Sequence, residues 1–153
     1  KQKLELVDRH RTGLRFRSLG GLKKWGESHG KKLIFATNGG IFAPSYWPLG
    51  LFIKDGKEII PLNTKSGKGN FYLAPNGVFF LKNSAANIVR TTNFHRSAEI
   101  ELAAQSGPLL VENGSINPLF DKLSENKTTR SGVGTKTEAE VLFGPTRRAD
   151  KLL

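Results

Sequence analysis

Cysteine is absent from the 153 residues, which excludes disulfides and thiolate metal sites. The absence does not choose a compartment, because a domain of this length can be stable without cross-links in either redox setting. Long hydrophobic runs are missing too, so no membrane-spanning helix is expected. No charged-then-apolar leader stands at Lys1, and the chain is expected to carry no intact signal peptide. Histidine is sparse and scattered: His10, His29 and His95 share no ligand spacing. With no phosphate-binding loop, dinucleotide fingerprint or calcium loop either, no metal and no other cofactor is expected. No internal repeat, low-complexity tract or linker divides the chain, so residues 1–153 are expected to form a single domain.

What is present suits a soluble fold with a real core. Hydrophobic residues make up 37% of the chain, 10 Phe, 2 Trp and 2 Tyr supply bulk, and mean hydropathy is -0.35. The 24 Lys and Arg against 13 Asp and Glu give a net charge of +11, a field that attracts phosphates, nucleic acid and anionic glycans. The basic residues are spread along the chain (Lys23, Lys31, Lys54, Lys68 among them), which favours a broadly basic surface over a nucleic-acid arm.

Short apolar clusters at Leu4–Val7 and Leu14–Phe16 read as edge strands. Ser18 is placed to cap a helix through Leu22 and Trp25, with Gly30 as its left-handed stop. The run Lys32–Thr37 reads as a buried strand that ends at Asn38-Gly39-Gly40. Asp55-Gly56, Asn76-Gly77 and Asn113-Gly114 each read as a hairpin turn, because such pairs accept the positive φ that a two-residue turn demands. Strands are expected at Leu51–Ile53, Ile59–Leu62, Phe71–Leu73, Val78–Leu81, Ile88–Val89, Leu109–Val111 and, more ambiguously, Ser97–Ala104. Leu119–Ser124 suits one helical turn, Ser131–Thr135 with Ala139–Phe143 a last strand pair, and Gly144–Leu153 a solvated end. The fold class is α+β, with a mixed, mostly antiparallel sheet and few helices.

Three blocks hold the residues suited to chemistry. In the first, Asn38 can bind a sugar hydroxyl or phosphate oxygen, Gly39 and Gly40 let backbone amides approach an anion, and Phe42, Tyr46 and Trp47 can stack on a sugar. Taken alone, a tight strand exit with core-covering aromatics accounts for the same residues. In the second, Gln105, Ser106 and Gly107 stand at a strand entrance. Ser106 has no adjacent His and no nucleophile elbow, so hydrogen bonding suits it better than covalent attack, and a turn serine is an equal reading. In the third, Arg130 carries a planar fork that can grip two phosphate oxygens, with Ser131 as a supporting donor, although a lone Arg is usually a solvated surface charge. Asp55, Glu58, Glu99, Glu101, Glu112 and Asp121 show no spacing that singles out a catalytic acid.

The blocks FATNGGIFAPSYWPLGLFIKDGKEIIPLNTKSGKGNFYLAPNGVFFL, AAQSGPLLVENGSINPLF and TTRSGVG, in that order, resemble the phosphodiester glycosidase domain family over Leu33 to Gly134. The resemblance implies a mixed α/β fold with its site at the glycine-rich loops. It also implies hydrolysis of sugar phosphodiesters, Asn38, Ser106 and Arg130 as catalytic residues, and Gly39, Gly40, Phe42, Gln105, Gly107 and Ser131 as substrate-binding residues. An extracytoplasmic location is implied as well. The family's later aspartate- and glycine-rich motif has no counterpart before Leu153, so a domain shortened at its C-terminus is expected. Its open strand edge at Val133 and Ala139–Phe143 would then favour self-association. The competing functions are a noncatalytic anionic-glycan-binding module of the same fold and, favoured by charge alone, a nucleic-acid-binding protein.

Overall fold

The computed structural model describes residues 3–9, 13, 15–120, 123, 128–137 and 139–146. Its one α-helix among these, α1 (Leu19–Ser28), begins where expected: the Ser18 hydroxyl accepts the Gly21 N–H at 3.0 Å. It ends as a Schellman motif, with Lys31 N–H donating to the Gly26 carbonyl at 2.8 Å, Gly30 N–H to that of Glu27 at 3.1 Å, and Gly30 at φ 68°.

A five-stranded sheet organises the core. Its strands are β1 (Phe52–Lys54), β2 (Lys57–Ile60), β3 (Gly77–Lys82), β4 (Ala85–Arg90) and β5 (Ile100–Ser106), in spatial order β2-β1-β5-β3-β4. Every pairing within it is antiparallel. The β1–β2 turn puts Asp55 at φ 50° and Gly56 at φ 74°, as that residue pair favours. Two small hairpins complete the strands: β6 (Val111–Glu112) with β7 (Ser115–Ile116), turning at Asn113-Gly114, and β8 (Arg130–Thr137) with β9 (Glu140–Thr146).

Strand pleating sorts side chains onto two faces. Leu51, Ile53, Val78, Phe94, Ile100 and Ala103 form the core on one face, and Phe79, Ala86 and Leu102 a second cluster on the other. Against strict alternation, Ile100 joins Ala103 because the β3–β5 register slips past Glu101. The second face is covered by Leu4, Leu6 and Val141, and by the Phe143 ring, 6.3 Å from Phe79 and 5.7 Å from Phe35.

Several expectations are corrected. Lys32–Thr37 is neither a strand nor buried: Ile34 is 70% exposed, and residues 33–36 with Leu19, Gly20 and Lys23 line an open groove beside α1. An apolar run reports a tendency to be covered, and here only Phe35 finds a ring to lie against. Leu4–Val7 is coil packed on the sheet face, and beside the second expected edge strand there is one isolated bridge, Arg9 to Arg15; Leu14 lies outside the described residues. Asn76-Gly77 makes no hairpin turn, since Gly77 opens β3 and Asn70–Tyr72 is a short 3-10 helix. Of Leu109–Val111 only Val111 is in a strand. Gly144–Thr146, taken as solvated end, finishes β9, while residues 147–153 lie outside the described set, as does half of Leu119–Ser124. The last strand pair agrees with β8–β9, and of the expected strand Ser97–Ala104 the part from Ile100 falls in β5, while residues 97–99 are coil and turn before it.

Candidate functional site

The pleat of β5 turns Gln105 and Ser106 to opposite faces of the sheet, and this division builds the site. Gln105 points to the first face and is buried, 3% exposed. Its Oε1 accepts the N–H groups of Leu51 and Asn63, both at 2.9 Å. Its Nε2 donates to the Asn63 carbonyl at 2.7 Å, to Asn76 Oδ1 at 3.1 Å and to Thr91 Oγ1 at 3.3 Å. Thr91 in turn donates to Asn76 Oδ1 at 2.8 Å, and Asn63 Nδ2 to the Leu49 carbonyl at 2.7 Å. Gln105 is thus the hub of a polar cluster whose members satisfy one another, the condition for burying such groups. Both ends of its amide are committed to these internal partners.

Ser106 faces the other way and is half-buried. The Asn38–Gly40 loop lies against this end of β5: a Cβ added to Gly40 would stand 3.1 Å from the Gln105 carbonyl oxygen and 3.8 Å from Ser106 Cβ. Gly39 is similarly close to Leu6, at 3.3 Å. Gly40 therefore lets the loop approach the strand that carries Ser106, and Gly39 lets it approach Leu6. Asn38 is exposed, and neither its side chain nor that of Ser106 makes a hydrogen bond among the described residues. The first two sequence blocks meet here, each with one uncommitted polar side chain.

Phe42 continues the loop. It bridges to Pro48, stacks on Tyr46 with ring centroids 5.9 Å apart, and is 45% exposed. Gly107 is packed inward: an added Cβ would meet Asn76 Nδ2 at 2.5 Å and the Phe71 carbonyl oxygen at 2.7 Å. Its lack of a side chain serves the polar cluster. Arg130 and Ser131 open β8, pair with Thr146 and Pro145, and are exposed. A Cβ on Gly132, next in the strand, would lie 3.9 Å from Leu110, so this block runs beside the chain that leaves Ser106 and Gly107.

Sequence reading missed Asn63, Asn76 and Thr91 as partners of Gln105. Asn76 carried a signal, but its glycine neighbour pointed to a turn. Gly50 carried another, since a Cβ there would meet Gln105 Oε1 at 2.5 Å.

Of the carboxylates considered as acids, Glu99, Glu101 and Glu112 have structural partners. Glu101 accepts the Ser84 N–H at 2.9 Å, and Lys82 pairs with Glu99 at 2.7 Å, holding its carboxyl below the usual range. Arg90 donates a two-pronged pair to Glu112, which lowers the pKa of that carboxyl, raises that of the guanidinium, and ties the β6–β7 hairpin to β4. Because the Glu112 pKa is depressed in the folded state, this tie is fully present above the ordinary carboxylate range and is lost as pH falls through the lowered value. Amide exchange across Val111–Ile116, corrected for its intrinsic pH dependence, is therefore expected to quicken on acidification in the parent chain. Arg90→Gln should abolish that response. Asp121 lies outside the described residues, and among those described no group of three His, Cys, Asp or Glu could hold a metal.

A glycine-rich loop against a strand end, with an arginine-bearing hairpin over the same sheet, is set within an α+β fold of mostly antiparallel sheets. The phosphodiester glycosidase family profile matches residues 31–149, and the chain belongs to that family. It is 44% identical over 108 residues to uncharacterized protein YigE of Escherichia coli (strain K12). The match covers 71% of this chain and 42% of that relative, so the chain spans less than half of the relative's length. No solved structure matches. No helix among the described residues is long and apolar enough to cross a membrane.

Proposed function

We propose that the chain acts on sugar phosphodiesters, with Asn38 and Ser106 hydrogen-bonding the sugar or phosphate and Arg130, supported by Ser131, binding the phosphate. The observation that carries this reading is the contact of the Asn38–Gly40 loop with the Ser106 end of β5, where two polar side chains stand without internal partners. Gly39 and Gly40 keep the loop close to Leu6 and to the Ser106 end of β5, and Phe42 offers an apolar wall. In the hydrolysis, the oxygen of water bonds to the anomeric carbon as the bond from that carbon to the phosphate oxygen breaks. The phosphomonoester departs with the electron pair, and the water proton passes to solvent. A phosphate leaving group is a weak base, which reduces the need for a carboxylic acid to protonate it. The site is read as extracytoplasmic, in keeping with the family.

A second reading is favoured by the engagement of Glu99, Glu101 and Glu112 in structural pairs: a binding module that holds an anionic glycan without turnover. A chromogenic sugar-phosphodiester assay with calorimetry on the same ligand separates the two, since binding without release of chromophore leaves only the module. In either case Arg130→Ala is expected to weaken binding of a phosphorylated sugar by about tenfold to a hundredfold, the worth of a charge-assisted fork, and to leave the neutral sugar unaffected. Equal losses for both ligands would show that Arg130 acts through the fold, and the site assignment would fail.

A further inference from the structure

The aromatic loop that follows the glycines carries a cluster with no part in the site above. Phe42 and Pro48 bridge, Leu49 N–H donates to the Ile41 carbonyl at 3.0 Å, and Ala43 N–H donates to that of Trp47 at 2.8 Å. The loop is therefore stapled to itself and presents Tyr46 and Trp47, 44% and 42% exposed. Two guanidiniums lie over the Trp47 ring, that of Arg9 at 4.7 Å and that of Arg15 at 4.0 Å from its centroid. Arg9 and Arg15 are also an antiparallel bridge pair, so two like charges stand directly opposite each other, an arrangement that costs stability. The Trp47 ring offsets part of that cost.

Counter-charge is scarce. Asp8 pairs with Arg9 at 3.1 Å and also with Lys54 at 3.4 Å, so a single carboxylate serves two cations. Arg15 donates to the Tyr46 carbonyl and, among the described residues, meets no carboxylate, which leaves most of its five N–H donors for another acceptor. A half-exposed pair of guanidiniums, of which only Arg9 meets a carboxylate among the described residues, is a place where an anion is stabilised by charge and by geometry.

We propose that Arg9, Arg15 and Trp47 form a second anion subsite, which takes the phosphate of a neighbouring repeat when the substrate is a phosphodiester-linked saccharide of several units. The placement fits: Trp47 is hydrogen-bonded to Ala43, and the five residue steps from Asn38 to Ala43 reach at most about 17 Å. A nucleic acid fits less well, because base stacking wants an open aromatic face and guanidiniums already lie over Trp47. The choice of ligand rests on the sugar-phosphodiester reading, whereas the existence of an anion subsite at Arg9 and Arg15 does not.

Calorimetry on the full chain tests it with four probes: a methyl glucose-1-phosphodiester, a three-repeat phosphodiester-linked glucose oligomer, the neutral oligomer of equal length, and oligo(dT). The charged oligomer is expected to bind at least about tenfold more tightly than the single-unit diester. Arg9→Gln and Arg15→Gln should each remove about tenfold from the charged oligomer and nothing from the single unit. Arg15→Lys, which keeps the charge and loses the fork, should fall between. Arg130→Ala should weaken both charged saccharides, and if it weakens neither while Arg15→Gln still weakens the oligomer, the primary site fails and the subsite stands. The proposal is overturned if the charged oligomer binds no better than the single unit or the neutral oligomer, or if Arg15→Gln weakens the single unit equally. Tighter binding of oligo(dT) than of the charged oligomer would also overturn it, in favour of a nucleic-acid surface.

Discussion

Gln105→Leu is expected to lower the melting temperature by about 10 °C, although leucine nearly matches glutamine in volume. The substitution strips the acceptor from two backbone donors, the N–H groups of Leu51 and Asn63, and Leu51 is only 1% exposed, so water does not replace what is lost. It also removes the donor that Asn63 and Asn76 share. An unsatisfied buried polar group costs about 1–3 kcal/mol, so about 3 kcal/mol in total is a fair expectation, and in a chain of this size each kcal/mol moves the midpoint by about 3 °C. Thermal unfolding followed by circular dichroism measures the shift. A change of only a degree or two would mean that Gln105 is not the hub its contacts describe.

Gly107→Ala should produce a loss of similar size from a single methyl group. That methyl would meet the Asn76 amide at 2.5 Å and a backbone oxygen, that of Phe71, at 2.7 Å. A side chain can swing away, but the Phe71 carbonyl is part of the chain, and Asn76 is held by Phe71, Thr91 and Gln105 together. Overpacking of this kind costs about 1–3 kcal/mol, and dislodging Asn76 adds to it. Gly134→Ala, where nothing lies within 4 Å, is the control and should be near neutral. The two losses should not add in Gln105→Leu/Gly107→Ala, because both act on one hydrogen-bonded cluster. Urea titration of the single and double variants gives the coupling directly, and full additivity would argue against a shared network.

Local chemistry was legible where it is self-contained. Ser18 and Gly30 bound α1 because capping involves only nearby backbone, and Asp55-Gly56 and Asn113-Gly114 turn because their residue types accept positive φ. Asn83 and Ser84 make an equally tight turn between β3 and β4 at φ 50° and 64° without a glycine, and no such signal marked them. What escaped the sequence depends on distant residues. Leu33, Ile34 and Phe35 look buried by composition, but burial requires a covering surface that composition cannot specify. The roles of Gln105 and Ser106 escaped for the same reason. Adjacent polar residues at a strand end look alike until the sheet shows which face holds Asn63, Asn76 and Thr91, and which lies along the Asn38–Gly40 loop.

The division of β5 between its two faces has an evolutionary reading. Position 105 answers to the interior and position 106 to the loop side, so if Ser106 meets the ligand as proposed, selection on ligand and selection on folding act on neighbouring codons without competing. Under the proposed function, a descendant with a different ligand could vary residue 106 and the loop facing it while the glutamine and the four residues it hydrogen-bonds stay fixed. Sequence drift in such a lineage would then be concentrated on one side of a single strand, and an engineer seeking new specificity has a short list of positions that leave the scaffold untouched.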